Sequence, residues 1–260
     1  MSGSRANFAL IAGNAESCGG PRGPRQGAER VGSCGTRRFV GRSFLRRPIE
    51  RAFEAAHGPR FPAPPRPGLI TMTFVHVIRH GKPAAAWGGV DDDPGLDETG
   101  RAQALAVAEA ILALPDAQRP TRVVSSPLRR CRETAAPLAK ALGAPVEIDA
   151  RVGEIPTPAA LSAAERPAWL REAFEGRWDQ VKGDLDYVGW AQGVASALRQ
   201  HAGAAVFSHF VALNAAVSVA TGRPEVMAFR PDHCSLTTFE VDGERLILAE
   251  KGREAQSQVL

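Results

Sequence analysis

Two apolar runs of this sequence end in side chains that can bind and transfer an anion. Residues 74–81 carry Arg79 and His80 near their end, and residues 204–209 end in His209. Uncharged apolar runs of this length are typical of buried parallel strands, whose carboxyl ends meet at the sheet edge where open α/β folds bind ligands. If the two strands are adjacent, both imidazoles lie together at that edge of the sheet.

A third segment, residues 123–134, is expected to bring more anion-binding groups to the same edge. It runs from an apolar strand pattern through Ser126 into a helix whose first turn carries Arg130. A helix N-terminus presents backbone N–H groups and arginine adds charge-assisted bidentate hydrogen bonds, so the segment suits a phosphate dianion. Two histidines and two arginines around one anion indicate phosphoryl chemistry.

From residue 74 onward the chain alternates apolar runs with helical patterns. This alternation predicts an α/β layered domain in which crossover helices connect parallel strands. The predicted strands are 74–80, 121–125, 145–148 and 204–208, and the predicted helices are 99–114, 127–142, 159–174, 187–201 and 210–221. Two further strands, 235–241 and 245–250, are predicted to form a hairpin around Asp242-Gly243.

The helix predicted over 127–142 has the clearest end signals. We expect the Ser126 hydroxyl to cap its first turn, Pro127 to occupy that turn, and Gly143 to end the helix.

Composition separates the first 71 residues from the rest. The chain has 260 residues, of which 44% are hydrophobic, so it can bury a core. The formal net charge of +4 is uneven, because residues 1–71 contribute +8 and residues 72–260 contribute −4. With 11 Gly and 8 Pro, residues 1–71 are predicted to be a disordered or non-native extension, and Met72 is a candidate natural start. A transit peptide and a nucleic-acid-binding arm are less favoured alternatives.

Other classes of protein find less support. Four scattered cysteines without a CxxC pair predict neither a zinc nor a redox site, and they suit a cytoplasmic protein. Residues 200–222 carry no formal charge but include His209 and Asn214, so a buried strand and helix are favoured over a membrane span.

The order of the motifs resembles the histidine phosphatase superfamily, which includes cofactor-dependent phosphoglycerate mutases and related metal-free phosphatases. The resemblance covers roughly residues 72–252. It implies a three-layer α/β/α sandwich with a mostly parallel central sheet, phosphoglycerate mutase-like, with residues 72–260 as the catalytic domain. The matching segments are Arg79-His80-Gly81, Leu96 to Gln103-Ala104, Ser126 through Arg130 to Ala135, Glu154-Ile155 and Ser208-His209.

The resemblance also implies a role for each candidate site residue. His80 would be the nucleophile that becomes a phosphohistidine. Arg79 and Arg130 would hold the phosphoryl oxygens, with a further hydrogen bond from His209. Glu154 would give a proton to the leaving oxygen and then activate water. No metal ion and no cofactor are implied, and the expected partner is a small phosphorylated substrate.

Less specialised roles remain open for the same residues. Glu154 could be an exposed loop carboxylate, Arg130 a solvated helix residue, and His80 or His209 a core histidine. His76 lies on the same strand face as His80, so a metal-binding pair is an alternative, although few carboxylates lie nearby in sequence.

The segment after Glu154 departs from the family pattern. A Pro-rich turn and a predicted helix over 157–174 replace the usual short segment, and we expect them to roof the site. Phe210 follows His209 where many relatives have Gly, so a bulky ring is expected to narrow the pocket. Three aromatic residues either line the site or pack in the core: Trp169, Phe174 and Trp178.

The expected activity is that of a metal-independent phosphomonoester hydrolase. A mutase and a catalytically silent binding module of the same fold are the alternatives. Acidic residues outnumber basic ones between 154 and 195, which disfavours a strongly anionic substrate and hence a mutase. A silent module would be expected to have lost His80, Arg79 or His209, and none of them is lost. The substrate itself and the oligomeric state stay open.

Overall fold

The computed structural model describes residues 73–85, 91 and 93–256. The extension predicted for residues 1–71 lies outside these residues. The described strands are β1 (Thr73–Arg79), β2 (Arg122–Ser125), β3 (Val146–Ile148), β4 (Ala204–Ser208), β5 (Leu236–Asp242) and β6 (Arg245–Glu250). The described α-helices are α1 (Glu98–Leu112), α2 (Arg129–Leu142), α3 (Arg166–Glu175), α4 (Tyr187–Gln200) and α5 (Phe210–Thr221).

All six strands join one mixed, mostly parallel sheet in the order β3-β2-β4-β1-β5-β6. The first four strands in this order are mutually parallel, whereas β5 runs antiparallel to β1 and β6 antiparallel to β5. The β5-β6 hairpin turns at Gly243, whose φ of 56° confirms the predicted tight turn. Strands β1 and β4 are therefore direct neighbours, and their carboxyl ends lie at the same edge.

Side chains alternate between the two faces of the sheet and build a separate core on each. Val77 and Val206 pack with α4 and α5 on one face, whereas Ile78 and Phe207 pack with α1 and α2 on the other. Because successive strand residues point to opposite faces, strands without charged interiors suit a sheet covered on both sides. The predicted α/β/α sandwich is confirmed.

Two helix starts differ from the sequence prediction. Helix α3 was expected from residue 159 but begins at Arg166, with Pro167 in its first turn. Proline lacks an N–H and its ring clashes with the carbonyl four residues earlier, so a helix starting at 159 would be broken there. Helix α2 begins at Arg129, and Leu128 rather than Ser126 is its N-cap, with no side-chain capping bond.

The end of α2 follows the prediction. Gly143 adopts the left-handed conformation, with φ of 62°, and its N–H donates to the last carbonyls of the helix.

His76 has a structural role in the sheet. It is buried, with Nδ1 3.0 Å from Thr238 Oγ1 and Nε2 2.7 Å from the Gln118 carbonyl oxygen. Both ring nitrogens are thus engaged within the fold, which leaves the His76–His80 metal pair without support. Among the described residues, no group of three or more His, Cys, Asp or Glu side chains is arranged to hold a metal ion.

The uncharged stretch over residues 200–222 forms β4 and α5, as the sequence predicts. In the described part of the chain, no helix has both the length and the apolar character needed to cross a bilayer.

Two glycines allow the loop after β1 to pass directly over the start of α1. A Cβ on Gly81 would lie 2.7 Å from the Gly100 carbonyl oxygen, and a Cβ on Gly100 would overlap the backbone of Lys82. The Lys82 N–H also donates to Gln103 Oε1 at 2.9 Å, which fixes the loop on the helix. The position of the chain immediately after His80 therefore depends on two residues without side chains.

We predict that Gly100→Ala destabilises the protein by about 1–3 kcal/mol, because backbone atoms cannot move away as easily as a flexible side chain. It should also lower activity by displacing the segment next to His80. Urea unfolding measures the first effect. Gly193→Ala in the exposed face of α4 is the matched control, since no atom lies within 4 Å of its added Cβ, and a helical alanine should be neutral or stabilising. Equal stability of the two variants would contradict this prediction.

Candidate active site

The structure places His80 and His209 side by side at the carboxyl edge of the sheet. Their ring centroids are 5.3 Å apart and the rings meet edge to face at 62°. Each histidine directly follows its strand, and β1 and β4 are parallel neighbours, so the two side chains emerge together. Both are almost completely buried.

The tautomer of His80 is set by the residue that follows it. Its Nδ1 lies 2.8 Å from the Gly81 carbonyl oxygen, which can only accept a hydrogen bond. Nδ1 therefore carries the proton and Nε2 keeps its lone pair. Burial, reinforced by His209, Arg79 and Arg130, holds the pKa of His80 well below its usual range. The ring is thus neutral near pH 7, the state in which Nε2 is a nucleophile.

Arg79 is fixed from two sides. Its Nη1 donates to the Pro231 carbonyl oxygen at 2.9 Å, and its guanidinium carbon lies 5.2 Å from the centre of the Phe210 ring. Burial lowers the pKa of Arg79 to about 10, opposed by the charges of Glu154 and Asp232, so the group stays cationic. Phe210 therefore packs against the guanidinium, which is a role that the sequence did not indicate.

Arg130 and Ser126 set the opposite tautomer in His209. Arg130 Nη2 lies 3.3 Å from His209 Nδ1, and a guanidinium only donates, so Nδ1 accepts and Nε2 carries the proton. That Nε2 is 2.8 Å from Ser126 Oγ and 3.3 Å from Cys131 Sγ. The hydroxyl expected to cap α2 instead orients a histidine. Burial keeps the pKa of His209 well below its usual range, and the positive charges of Arg130 and Arg79 lower it further.

The N-terminus of α2 binds a carboxylate. The Arg129 N–H donates to both oxygens of Asp93, at 2.8 and 3.0 Å, and Asp93 also lies 3.9 Å from Arg130 Nη1. The expectation that this helix end offers its N–H groups to a phosphate is therefore wrong for the first N–H. The buried side chains are therefore the candidate anion-binding groups at this edge.

Glu154 lies next to this cluster with its two oxygens in different surroundings. Oε1 accepts hydrogen bonds from the N–H groups of Ile155, at 3.0 Å, and Val211, at 3.2 Å, whereas Oε2 is buried and has no partner among the described residues. Burial raises the pKa of Glu154. The hydrogen bond from the Ile155 N–H lowers it in part, as do the charges of Arg166 and the two site arginines. Because its pKa is raised, this carboxyl group holds a proton more readily than an exposed glutamate does, and Oε2 is the oxygen left without a partner among the described residues.

A cavity of about 530 Å³ opens beside Glu154 and Arg130. The segment after Glu154 contributes to its wall through Pro156, Leu161 and Arg166, in agreement with its expected position over the site. The three candidate aromatic residues do not line it: Trp169 and Trp178 are buried in the core, and Phe174 packs on Phe210 with ring centroids 5.4 Å apart.

Sequence reasoning missed the third imidazole of this region. His233 has its ring centroid 5.8 Å from that of His80. It precedes β5, and the antiparallel pairing of β5 with β1 brings it to the site. The signal was present in the sequence, since a histidine a few residues before a strand lies near a sheet edge. The strand that pairs with β5 could not be predicted from the local pattern.

The sequence model of the histidine phosphatase superfamily (branch 1) matches residues 75–252, which is more than half of the chain. This chain belongs to the histidine phosphatase superfamily. The matched region contains every site residue described above. Among the curated proteins, none gives a significant match.

Solved structures share the fold of this chain at low sequence identity. A mycobacterial glucosyl-3-phosphoglycerate phosphatase is 20% identical, with a TM-score of 0.55, and the match covers 70% of this chain and 100% of that one. A phosphoserine phosphatase from Entamoeba histolytica, solved with 3-phosphoglyceric acid, is 21% identical with a TM-score of 0.55, covering 71% and 98%.

We predict that Ser126→Ala lowers kcat by roughly 2- to 10-fold with little change in KM, because one neutral hydrogen bond that orients His209 is lost. Steady-state kinetics on an aryl phosphate measures the split. Ser126→Thr keeps the hydroxyl and should restore most of kcat. A fall in the unfolding temperature of the alanine variant with unchanged kcat would show that the hydroxyl serves stability alone.

Proposed function

We propose that this histidine phosphatase is a metal-independent phosphomonoester hydrolase that works through a phosphohistidine on His80. The observation that carries the proposal is the buried, neutral His80 ring, whose Nδ1 proton is tied to Gly81 and whose Nε2 lone pair is free for attack. Two buried arginines beside it supply the positive charge that a phosphoryl group requires.

In the first step, His80 Nε2 attacks phosphorus and forms the N–P bond. The P–O bond to the leaving group breaks, and its electron pair stays on the leaving oxygen, which takes the proton from Glu154 Oε2. Arg79 and Arg130 hold the phosphoryl oxygens, and His209 adds a hydrogen bond to them when its Nε2–H turns from Ser126 Oγ to the bound phosphoryl group. His80, Arg79 and Arg130 are held in place before substrate arrives, so these three groups need little reorganisation.

In the second step, a water molecule attacks the phosphohistidine. Glu154, now ionised, takes a proton from the water as its oxygen bonds to phosphorus. The N–P bond breaks, the electron pair returns to His80 Nε2, and inorganic phosphate leaves. The enzyme regains its starting protonation state, and the balance of the cycle requires no metal ion or cofactor.

The charge of the cavity wall favours hydrolysis over mutase activity. Among the described lining residues, Arg130 and Arg166 are accompanied by Asp91 and the ionisable Glu154, so the wall carries no large excess of cations. A mutase must retain an anionic product long enough to return the phosphoryl group to it, which an excess of cations would assist. We place this activity in residues 72–260 and propose a small phosphorylated molecule as substrate. A cytoplasmic location stays a prediction.

We predict that the wild-type chain hydrolyses an aryl phosphate in the presence of EDTA and that His80→Ala lowers kcat/KM by about 10³-fold or more. Rapid quenching with a radiolabelled substrate should trap a phosphoenzyme that acid hydrolyses and base does not. His201→Ala is the matched control, because His201 lies at the C-terminal end of α4 and its ring pairs with Asp149, which is not a residue of the proposed site.

Loss of turnover on chelation would contradict the metal-independent proposal. An acid-stable phosphoenzyme, or one that persists in His80→Ala, would exclude His80 as the carrier.

We predict that the effect of Glu154→Gln on the first step depends on the leaving group of the substrate. Alkyl phosphates need a proton on the leaving oxygen, so their kcat/KM should fall by about 10²–10⁴-fold, whereas p-nitrophenyl phosphate should lose much less in the first step. With p-nitrophenyl phosphate, the variant should show a burst of product and accumulate phosphoenzyme, because water is no longer activated. Equal losses on both substrates would indicate that Glu154 acts only in structure.

A further inference from the structure

His233 lies against the proposed nucleophile, and the mechanism above does not use it. Its ring is half-buried, with the centroid 5.8 Å from that of His80 and the planes tilted by 54°. The two rings are almost as close as those of His80 and His209.

Strand order places His233 on the flank of His80 opposite His209. Strand β1 lies between β4 and β5 in the sheet. His209 follows the end of β4, whereas His233 lies in the turn before β5, where Leu236 pairs with Ile78 near the carboxyl end of β1. The nucleophile therefore has one imidazole on each side.

The turn that carries His233 is held in a strained conformation. Cys234 has a φ of 52°, a left-handed value shared by no other non-glycine residue in the described part of the chain. Such a conformation persists only where the surroundings enforce it, and strain of this kind clusters at ligand-binding sites. Here Cys234 N–H donates to the Arg79 carbonyl oxygen at 3.0 Å, and Arg79 Nη1 donates to the Pro231 carbonyl oxygen at 2.9 Å.

The chemistry of the ring suits a hydrogen-bond donor that stays neutral. Burial, reinforced by Arg79, lowers the pKa of His233 to about 4, so near pH 7 the ring carries one N–H and one lone pair. Its backbone N–H is engaged by Asp232 Oδ1 at 2.8 Å, but its ring nitrogens make no hydrogen bond to the described residues. A polar ring in this position has a donor to offer to a ligand.

We propose that His233 donates a hydrogen bond to a phosphoryl oxygen on the side of His80 opposite His209. This inference rests on the proposed function, because it requires a phosphoryl group bound at His80. His233 is then a third imidazole of the site, and the phosphoryl group is held from both flanks. The competing role is packing, in which the ring only keeps His80 in position.

Three substitutions separate these roles. His233→Ala removes the ring, His233→Leu fills the space without a donor, and His233→Asn keeps an N–H donor in a shorter side chain. The probe is orthovanadate, whose binding is measured by titration calorimetry without turnover, together with kcat/KM on an aryl phosphate. Arg230→Ala, an exposed residue in the same connection, is the control and should match wild type.

We expect the alanine and leucine variants to lose about 10- to 100-fold in vanadate affinity and in kcat/KM, the effect of one hydrogen bond to a charged group, and the asparagine variant to recover most of both. Wild-type behaviour of the leucine variant would establish packing and overturn the inference. If hydrolysis requires His80 but the His233 variants match wild type in kcat/KM and vanadate affinity, this inference is refuted and the proposed function stands. Vanadate binding that depends on His233 in a chain without turnover would refute the proposed hydrolysis and support the phosphoryl contact.

Discussion

The parallel pairing of β1 with β4 determines where every group of the site lies. Arg79 is the register partner of Ser208, and the His80 N–H donates to the Ser208 carbonyl oxygen at 2.9 Å. The next residue of each strand is a histidine, so the two rings emerge side by side. A slip of one residue would send one ring to the opposite face of the sheet. Hydrophobic side chains on both faces, such as Ile78 and Val206, oppose that slip, because it would move the side chains of the slipped strand out of the core in which they pack.

The same burial that fixes the rings also leaves two desolvated cations at the site. Arg79 and Arg130 are only 6% and 5% exposed, so their charges have lost most of their hydration. Buried charge is costly without a partner, and Glu154 supplies only part of the compensation because burial raises its pKa. An entering dianion meets donors that are already desolvated and oriented, which makes each hydrogen bond stronger than it would be in water. The imidazoles of the site are neutral, so they add no charge that would need further compensation.

The sequence predicted the site better where a residue follows directly from its strand. The ends of β1 and β4 could be located from uncharged apolar runs, and the motifs then identified Arg79, His80 and His209. Ser126 was assigned to a helix cap because local rules favour serine there, and only the tertiary contact with His209 shows its other use. His233 depends on strand pairing across more than 150 residues of chain, which no local pattern contains.

Cys131 gives the arrangement one more consequence. Its sulfur lies 3.3 Å from His209 Nε2, close to the reacting groups, and burial strongly raises the pKa of its thiol. Thiolates, not thiols, attack phosphorus, so this sulfur is chemically silent although it lies within reach of the centre. Burial thus separates two potential nucleophiles by their acidity: it leaves the His80 nitrogen unprotonated and the Cys131 sulfur protonated, so under the proposed mechanism the nitrogen alone is available for attack.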